Sequence, residues 1–145
     1  MRAINEVRVE FPSHSGNEAF ARSCAACFAA QLDHTLEELG DLKTAVSEAV
    51  TNAIVHAYPD KLGTVGLKLR VLEGGVLEVT VRDRGVGIPD VARAMEPMFT
   101  TGGDERSGMG FSIMESFTDG LRVRSAPGRG TTVVMLKRLS RREES

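Results

Sequence analysis

The chain has 145 residues, 41% of them hydrophobic and 26% charged, with a net charge of −2. That length suits one domain with a real core, and the charge balance gives no electrostatic footprint for nucleic acid. Residues 1–11 are charged throughout, unlike a secretory leader, and no apolar run reaches membrane-spanning length, so a cytoplasmic protein with no membrane association is expected.

Residues 4–11, with Ile4, Val7, Val9 and Phe11, read as a strand that Pro12 ends. Ser15-Gly16-Asn17-Glu18 has the pattern of a capping box, with Ser15 as N-cap, and predicts a helix to about Leu32. Cys24 and Cys27 lie inside its alanine-rich run with no second ligand pair, and read as small buried core residues rather than a redox or zinc site. After Asp33-His34, Thr35 and Glu38 form a second capping box, which opens a long helix to about His56 or Tyr58. Its apolar stripe is Leu36, Leu39, Leu42, Val46, Ala49/Val50, Ala53 and Ala57. Beside the stripe run Glu48, Asn52 and His56, each roughly 40° round from the last. A carboxylate, an amide and an imidazole therefore share one ridge at the rim of the core.

Pro59-Asp60 and Gly63 mark a loop. Strands follow over 65–72 and 76–82, joined by Glu73-Gly74-Gly75 as a hairpin. The loop Asp83-Arg84-Gly85-Val86-Gly87-Ile88-Pro89 comes next, then a short helix candidate over 91–98 and a polar, glycine-dense stretch over 100–110. Gly110 opens a helical run with Phe111, Ile113, Met114 and Phe117, and strands over 121–125 and 131–136 close the chain. The element order implies an α/β (α+β) two-layer sandwich, one mixed, mostly antiparallel sheet with helices on one face. It forms a single domain over 1–145, with an ordered core at about 4–137. The tail from 138 carries most of a basic cluster, Lys137-Arg138 and Arg141-Arg142, that reads as solvated.

Three stretches carry chemistry. Asp83-x-Gly85-x-Gly87 begins at a strand end; its glycines let a flat ring or a phosphate approach the backbone, and Asp83 can accept a hydrogen bond from an exocyclic amino group such as that of adenine. A tight turn with a capping aspartate is the alternative. Arg106-Ser107-Gly108-Met109-Gly110 enters a helix, where backbone N–H groups and the helix dipole attract anions and Arg106 adds a phosphate-fitting fork; the alternative is a glycine-hinged loop that merely starts a helix. Gly130-Thr131-Thr132 offers a hydroxyl to a base or its bridging water, or is a plain turn exit. Neither a Walker A nor a Rossmann pattern is present.

In the order Glu48-x-x-x-Asn52, Asp83-x-Gly85-x-Gly87, Gly108-x-Gly110, Gly130-Thr131, the chain resembles the Bergerat-fold ATP-binding family over about 11–136. Within it, residues 47–56, 81–90 and 107–115 are most similar to the small serine kinases that act as anti-sigma factors. Met109 and Phe111 favour the sporulation type over the stress-response type.

The resemblance implies ATP/ADP and Mg²⁺ as cofactors, with Asn52 the metal ligand and Glu48 the general base for a substrate serine. It implies that Asp83 reads adenine, with Gly85 and Gly87 against base and sugar and Thr131 supporting Asp83. It makes 100–110 a lid, with Gly108 and Gly110 beneath the phosphates and Arg106 near the γ-phosphate. Thr100, Thr101, Ser107 and Met109 are further nucleotide-binding positions.

It also implies three partners: an RNA polymerase sigma factor, an anti-anti-sigma factor carrying the serine, and a second copy of the chain. Arg22 is a candidate partner contact; no direct nucleic-acid partner is expected. Such chemistry needs positioning and charge neutralisation more than covalent help. His56 reads as a hydrogen-bonded rim histidine, and neither His14 nor His34 suits a phosphoacceptor. Gly102-Gly103 stands where the resembled kinases usually carry a lysine, which leaves open a nucleotide-gated binding module that transfers no phosphate.

Overall fold

The computed structural model describes residues 2–91 and 110–139. In chain order the elements are β1 (Ala3–Pro12), α1 (Asn17–Ala29), α2 (Leu36–Val55), β2 (Thr64–Leu72), β3 (Val76–Asp83), α3 (Gly110–Phe117), β4 (Gly120–Ala126) and β5 (Gly130–Arg138). The short helix candidate over 91–98 lies, beyond its first residue, outside the described residues.

The five strands form one sheet in the order β1-β2-β3-β5-β4, and every pairing is antiparallel. The expected α+β sandwich is therefore present, but among the described residues it lacks the parallel pair that a mixed sheet would contain. β3 and β4 do run in the same direction; β5 returns between them and pairs with both, so the parallel relation is never adjacent.

Alternation decides which face is buried. Val65, Leu67, Leu69 and Val71 of β2, Leu77, Val79 and Val81 of β3, and Val133 and Met135 of β5 all point into the core. The helical layer meets them through Leu42, Ala45, Val46, Ala49, Val50 and Ala53 of α2. Ala21, Ala25 and Ala29 of α1 are buried too, their small side chains allowing close approach of the two helices. Each fully buried leucine or valine contributes about 1.5–3 kcal/mol, so the helix face and the sheet face hold each other.

The capping box of α2 forms as its sequence predicts. The Glu38 N–H donates to Thr35 Oγ1 (3.0 Å), and the Thr35 N–H donates to Glu38 Oε1 (2.9 Å). Its first turn projects past the core, and Leu36, assigned to the buried stripe, is 87% exposed. The α1 box does not form: the helix starts at Asn17 with Gly16 as N-cap and no side-chain cap. His14 Nδ1 accepts the Gly16 N–H (3.1 Å) and Asn17 Nδ2 donates to the Pro12 carbonyl (3.0 Å), holding the chain in a turn through Ser15. Glu18 pairs instead with Arg22 across one helical turn (3.4 Å). Cys24 packs partly into the core, but Cys27 is exposed, because a three-residue step turns roughly 60° away from the buried line.

The hairpin between β2 and β3 turns on Gly74 and Gly75, at φ of 88° and 79°, angles that favour glycine. Lys137 and Arg138 belong to β5 rather than to a solvated tail; Lys137 reaches Asp41 of α2 (3.4 Å), and Leu139 beyond them is buried. Among the described residues, no helix is long and apolar enough to cross a membrane.

Candidate functional site

α2 carries half of the site. Its rim holds Glu48, Asn52 and His56, each half-buried, with His56 as the C-cap whose N–H donates to the Asn52 carbonyl (3.0 Å). α3 packs on this helix, and its first residue, Gly110, is set directly against the ridge. A Cβ built on Gly110 would lie 3.2 Å from Asn52 Nδ2, 3.4 Å from Asn52 Oδ1 and 3.6 Å from Glu48 Oε2. The spacing that puts Glu48 and Asn52 one turn apart thus brings both side chains to one spot, the entry of α3.

The other half sits at the end of β3. Asp83 is 7% exposed, and its Oδ1 accepts the N–H of Gly85 (3.0 Å) and of Thr131 (3.2 Å). Burial pushes its carboxyl pKa above the usual range, and the two backbone donors oppose that without cancelling it. Both bonds fall on Oδ1, and among the described residues nothing else bonds Oδ2. One carboxylate oxygen is thus fixed by the protein while the other can serve a ligand's donor.

The loop after Asp83 is stitched along its length. The Arg84 N–H donates to the Tyr58 hydroxyl (2.7 Å), the Val86 N–H to the Ala57 carbonyl (2.9 Å) and the Ile88 N–H to Ser125 Oγ (2.7 Å). Ala57 lies just past α2, next to its C-cap His56, so this anchoring holds the Asp83 loop at the C-terminal end of the helix that carries Glu48 and Asn52.

Gly85 and Gly87 have protein partners that already demand glycine. A Cβ on Gly85 would meet the Ala57 carbonyl oxygen at 2.0 Å, and one on Gly87, at φ 77°, would meet that of Ala126 at 2.1 Å. These contacts fix the loop whether or not a ring or sugar lies against it. Thr131 supports Asp83 through its backbone N–H, while its hydroxyl bonds Ser125 (2.8 Å). Thr100, Thr101, Arg106, Ser107, Gly108 and Met109 lie outside the described residues.

Sequence reasoning missed Ser125 and Tyr58. Ser125 accepts from Ile88, donates to the Gly130 carbonyl (3.0 Å) and bonds Thr131, tying the Asp83 loop to β4 and β5. Tyr58 accepts from Arg84 and donates to the Thr64 carbonyl (2.7 Å). Ser125→Ala leaves the Ile88 N–H with no side-chain acceptor. It is expected to cost about 1–3 kcal/mol, read as a lower urea midpoint with an unchanged slope.

Asp83→Asn separates stability from binding. The raised pKa means that the folded state holds this proton more tightly than the unfolded chain. Stability from that source is therefore full below the unfolded pKa and lost as pH rises through the folded one. The asparagine oxygen can keep both backbone bonds without a buried charge. The variant is expected to match or exceed the native chain in thermal stability at neutral pH, and to lose the pH dependence that Asp83 contributes. A variant clearly less stable at pH 7 would contradict this assignment.

No group of three or more His, Cys, Asp and Glu side chains among the described residues could hold a metal ion. A hard cation at the Asn52 oxygen would take its other ligands from phosphates and water, as Mg²⁺ commonly does. The donors present fit that arrangement: one amide oxygen, a carboxylate one turn away, and a glycine at a helix entry that leaves the space open.

Residues 11–137 match the histidine kinase-like ATPase domain family. The anti-sigma F factor of Pasteuria penetrans is 55% identical over 93% of this chain and 91% of its own, and that of Geobacillus stearothermophilus is 53% identical over 92% of each. Among solved structures, the RsbU and RsbW domains of a Mycobacterium tuberculosis protein superpose with a TM-score of 0.69. They are 18% identical, over 95% of this chain and 33% of that one, a likeness of fold alone. The histidine kinase domain of the Erythrobacter litoralis blue-light activated kinase gives a TM-score of 0.57 at 26% identity, over 86% of this chain and 60% of that one. The chain belongs to the histidine kinase-like ATPase family and, within it, to the anti-sigma F factors.

Proposed function

We propose that this anti-sigma factor binds a sporulation sigma factor and holds it inactive, and that it is also a protein serine kinase. Its substrate is a serine of an anti-anti-sigma factor, its phosphoryl donor is Mg-ATP, and it works in the cytoplasm as a homodimer. The observation that carries the reading is the meeting of Glu48 and Asn52 at Gly110, with the Asp83 loop pinned to Ala57 just past the end of the same helix.

Mg²⁺, when bound, neutralises charge on the phosphates. The chain's own residues do the rest. The Asn52 oxygen fixes the cation, and the Asp83 carboxylate accepts the adenine amino group. Glu48, one turn before Asn52 on the same ridge, is assigned as the base rather than a metal ligand: it accepts the proton that the serine hydroxyl loses as its oxygen bonds to the γ-phosphorus and ADP leaves. Arg106 and the other lid positions are assigned by resemblance: Arg106 to the γ-phosphate, and Thr100, Thr101, Ser107, Gly108 and Met109 to the nucleotide.

The test is incubation with γ-labelled ATP, Mg²⁺ and the anti-anti-sigma partner. Label is expected on a single serine of that partner. Nucleotide-dependent complex formation with no label transferred would instead identify a binding module without kinase activity.

A further inference from the structure

All of the helices among the described residues lie against one face of the sheet. On the other face the register sets Arg82, Thr132 and Arg124 side by side across β3, β5 and β4. The next row holds Lys68, Thr80, Val134 and Arg122. Arg82, Arg122 and Arg124 are exposed. None of these four cations has an ion pair among the described residues. The acidic side chains Glu6 and Glu78 on the same face are already engaged, by Arg8 and Arg70.

At one end the face opens into a groove of about 850 Å³, lined by Arg82 together with Lys61 and Arg84, and with Gly66 between Glu10 and Arg82. Lys61 and Arg84 likewise have no ion pair among the described residues. Six cations without an ion pair among the described residues thus lie on this face or line its groove, with Glu10 and Asp60 the two acidic groove residues, in a chain whose net charge is −2. Lys68 and Arg82 are diagonal neighbours on β2 and β3, and Arg122 and Arg124 stand two residues apart on one face of β4; a bound polyanion would relieve the repulsion between them.

We propose that this sheet face, which no helix among the described residues covers, and its groove dock an acidic, extended segment of a partner protein. The Thr80 and Thr132 hydroxyls offer hydrogen bonds between the cations, and Leu62 and Val86, exposed among the groove residues, offer apolar contacts. A nucleic acid fits less well, because bases bind such sheets by stacking on aromatic rings. None stands in these two rows; Tyr58, in the groove, has its hydroxyl committed to Thr64 and Arg84.

The probe is a short labelled peptide of glutamate and leucine, titrated against the full chain by fluorescence anisotropy and by amide NMR shifts. Shifts are expected to concentrate on the outer residues of β3, β5 and β4. In the triple variant Arg82→Gln, Arg122→Gln, Arg124→Gln, affinity for the peptide is expected to fall about tenfold or more, with ATP affinity and sedimentation unchanged. Four results would overturn the proposal: equal peptide binding by the variant, shifts confined to the helical layer, tighter binding of oligo-dT or of anionic vesicles than of the peptide, or a native dimer that the variant breaks. The last would assign the face to a second copy.

Discussion

Glu48→Gln is expected to slow phosphoryl transfer by about 10²–10⁴-fold, the usual contribution of a general base, while ATP affinity stays near that of the native chain. The change is isosteric, and Gly110 leaves the same space for either side chain. The amide cannot take the serine proton, but nothing that holds the nucleotide is removed. The loss should therefore fall on kcat and leave KM for ATP in place, the pattern of a group that acts mainly in the transition state. Single-turnover transfer from labelled ATP measures it, and transfer at the native rate would remove Glu48 from the chemistry. Asn52→Ala should behave differently, weakening Mg-ATP binding itself.

The second large effect concerns the fold around the site. In Gly85→Ala the new methyl would sit 2.0 Å from the Ala57 carbonyl oxygen and 2.6 Å from the Ala57 Cβ. Neither can yield as a flexible side chain would. The carbonyl also accepts the Val86 N–H (2.9 Å), so moving it breaks the bond that joins the loop to the turn just past α2. The expected cost is about 2–4 kcal/mol, a large part of a typical domain's stability, with loss of nucleotide binding as Asp83 shifts. Gly40→Ala is the control. Gly40 lies inside α2 with nothing within 4 Å of its Cβ position, so helix propensity alone should stabilise the chain by about 1 kcal/mol. Opposite shifts in urea midpoint are the expected pair of results. Equal shifts would show that the Gly85–Ala57 approach is not tight.

What could be read from the sequence was what depends on near neighbours. Thr35 and Glu38 are three residues apart, and their reciprocal bonds form as the pattern says. Glu48 and Asn52 are fixed by helical spacing, and Gly74-Gly75 by turn geometry. The same local rule failed at Ser15, because His14 and Asn17 offered the backbone competing bonds that the pattern does not count. Ser125 was invisible for a different reason. Its value lies in reaching Ile88, 37 residues away, and Thr131 across a strand pair, and nothing beside it in the chain marks it. The roles of Gly85 and Gly87 were half legible. Their need for a missing side chain was evident, but the atoms that require it are carbonyls of Ala57 and Ala126, which only the folded chain brings near.

The most direct measurement is a crystal structure of the chain with Mg²⁺ and a non-hydrolysable ATP analogue. The metal is expected on Asn52 Oδ1, the adenine amino group on Asp83 Oδ2, and the Glu48 carboxylate facing the γ-phosphate across Gly110. An analogue seated away from α2, for instance in the groove between Tyr58 and Arg82, or a metal held without Asn52, would contradict the account.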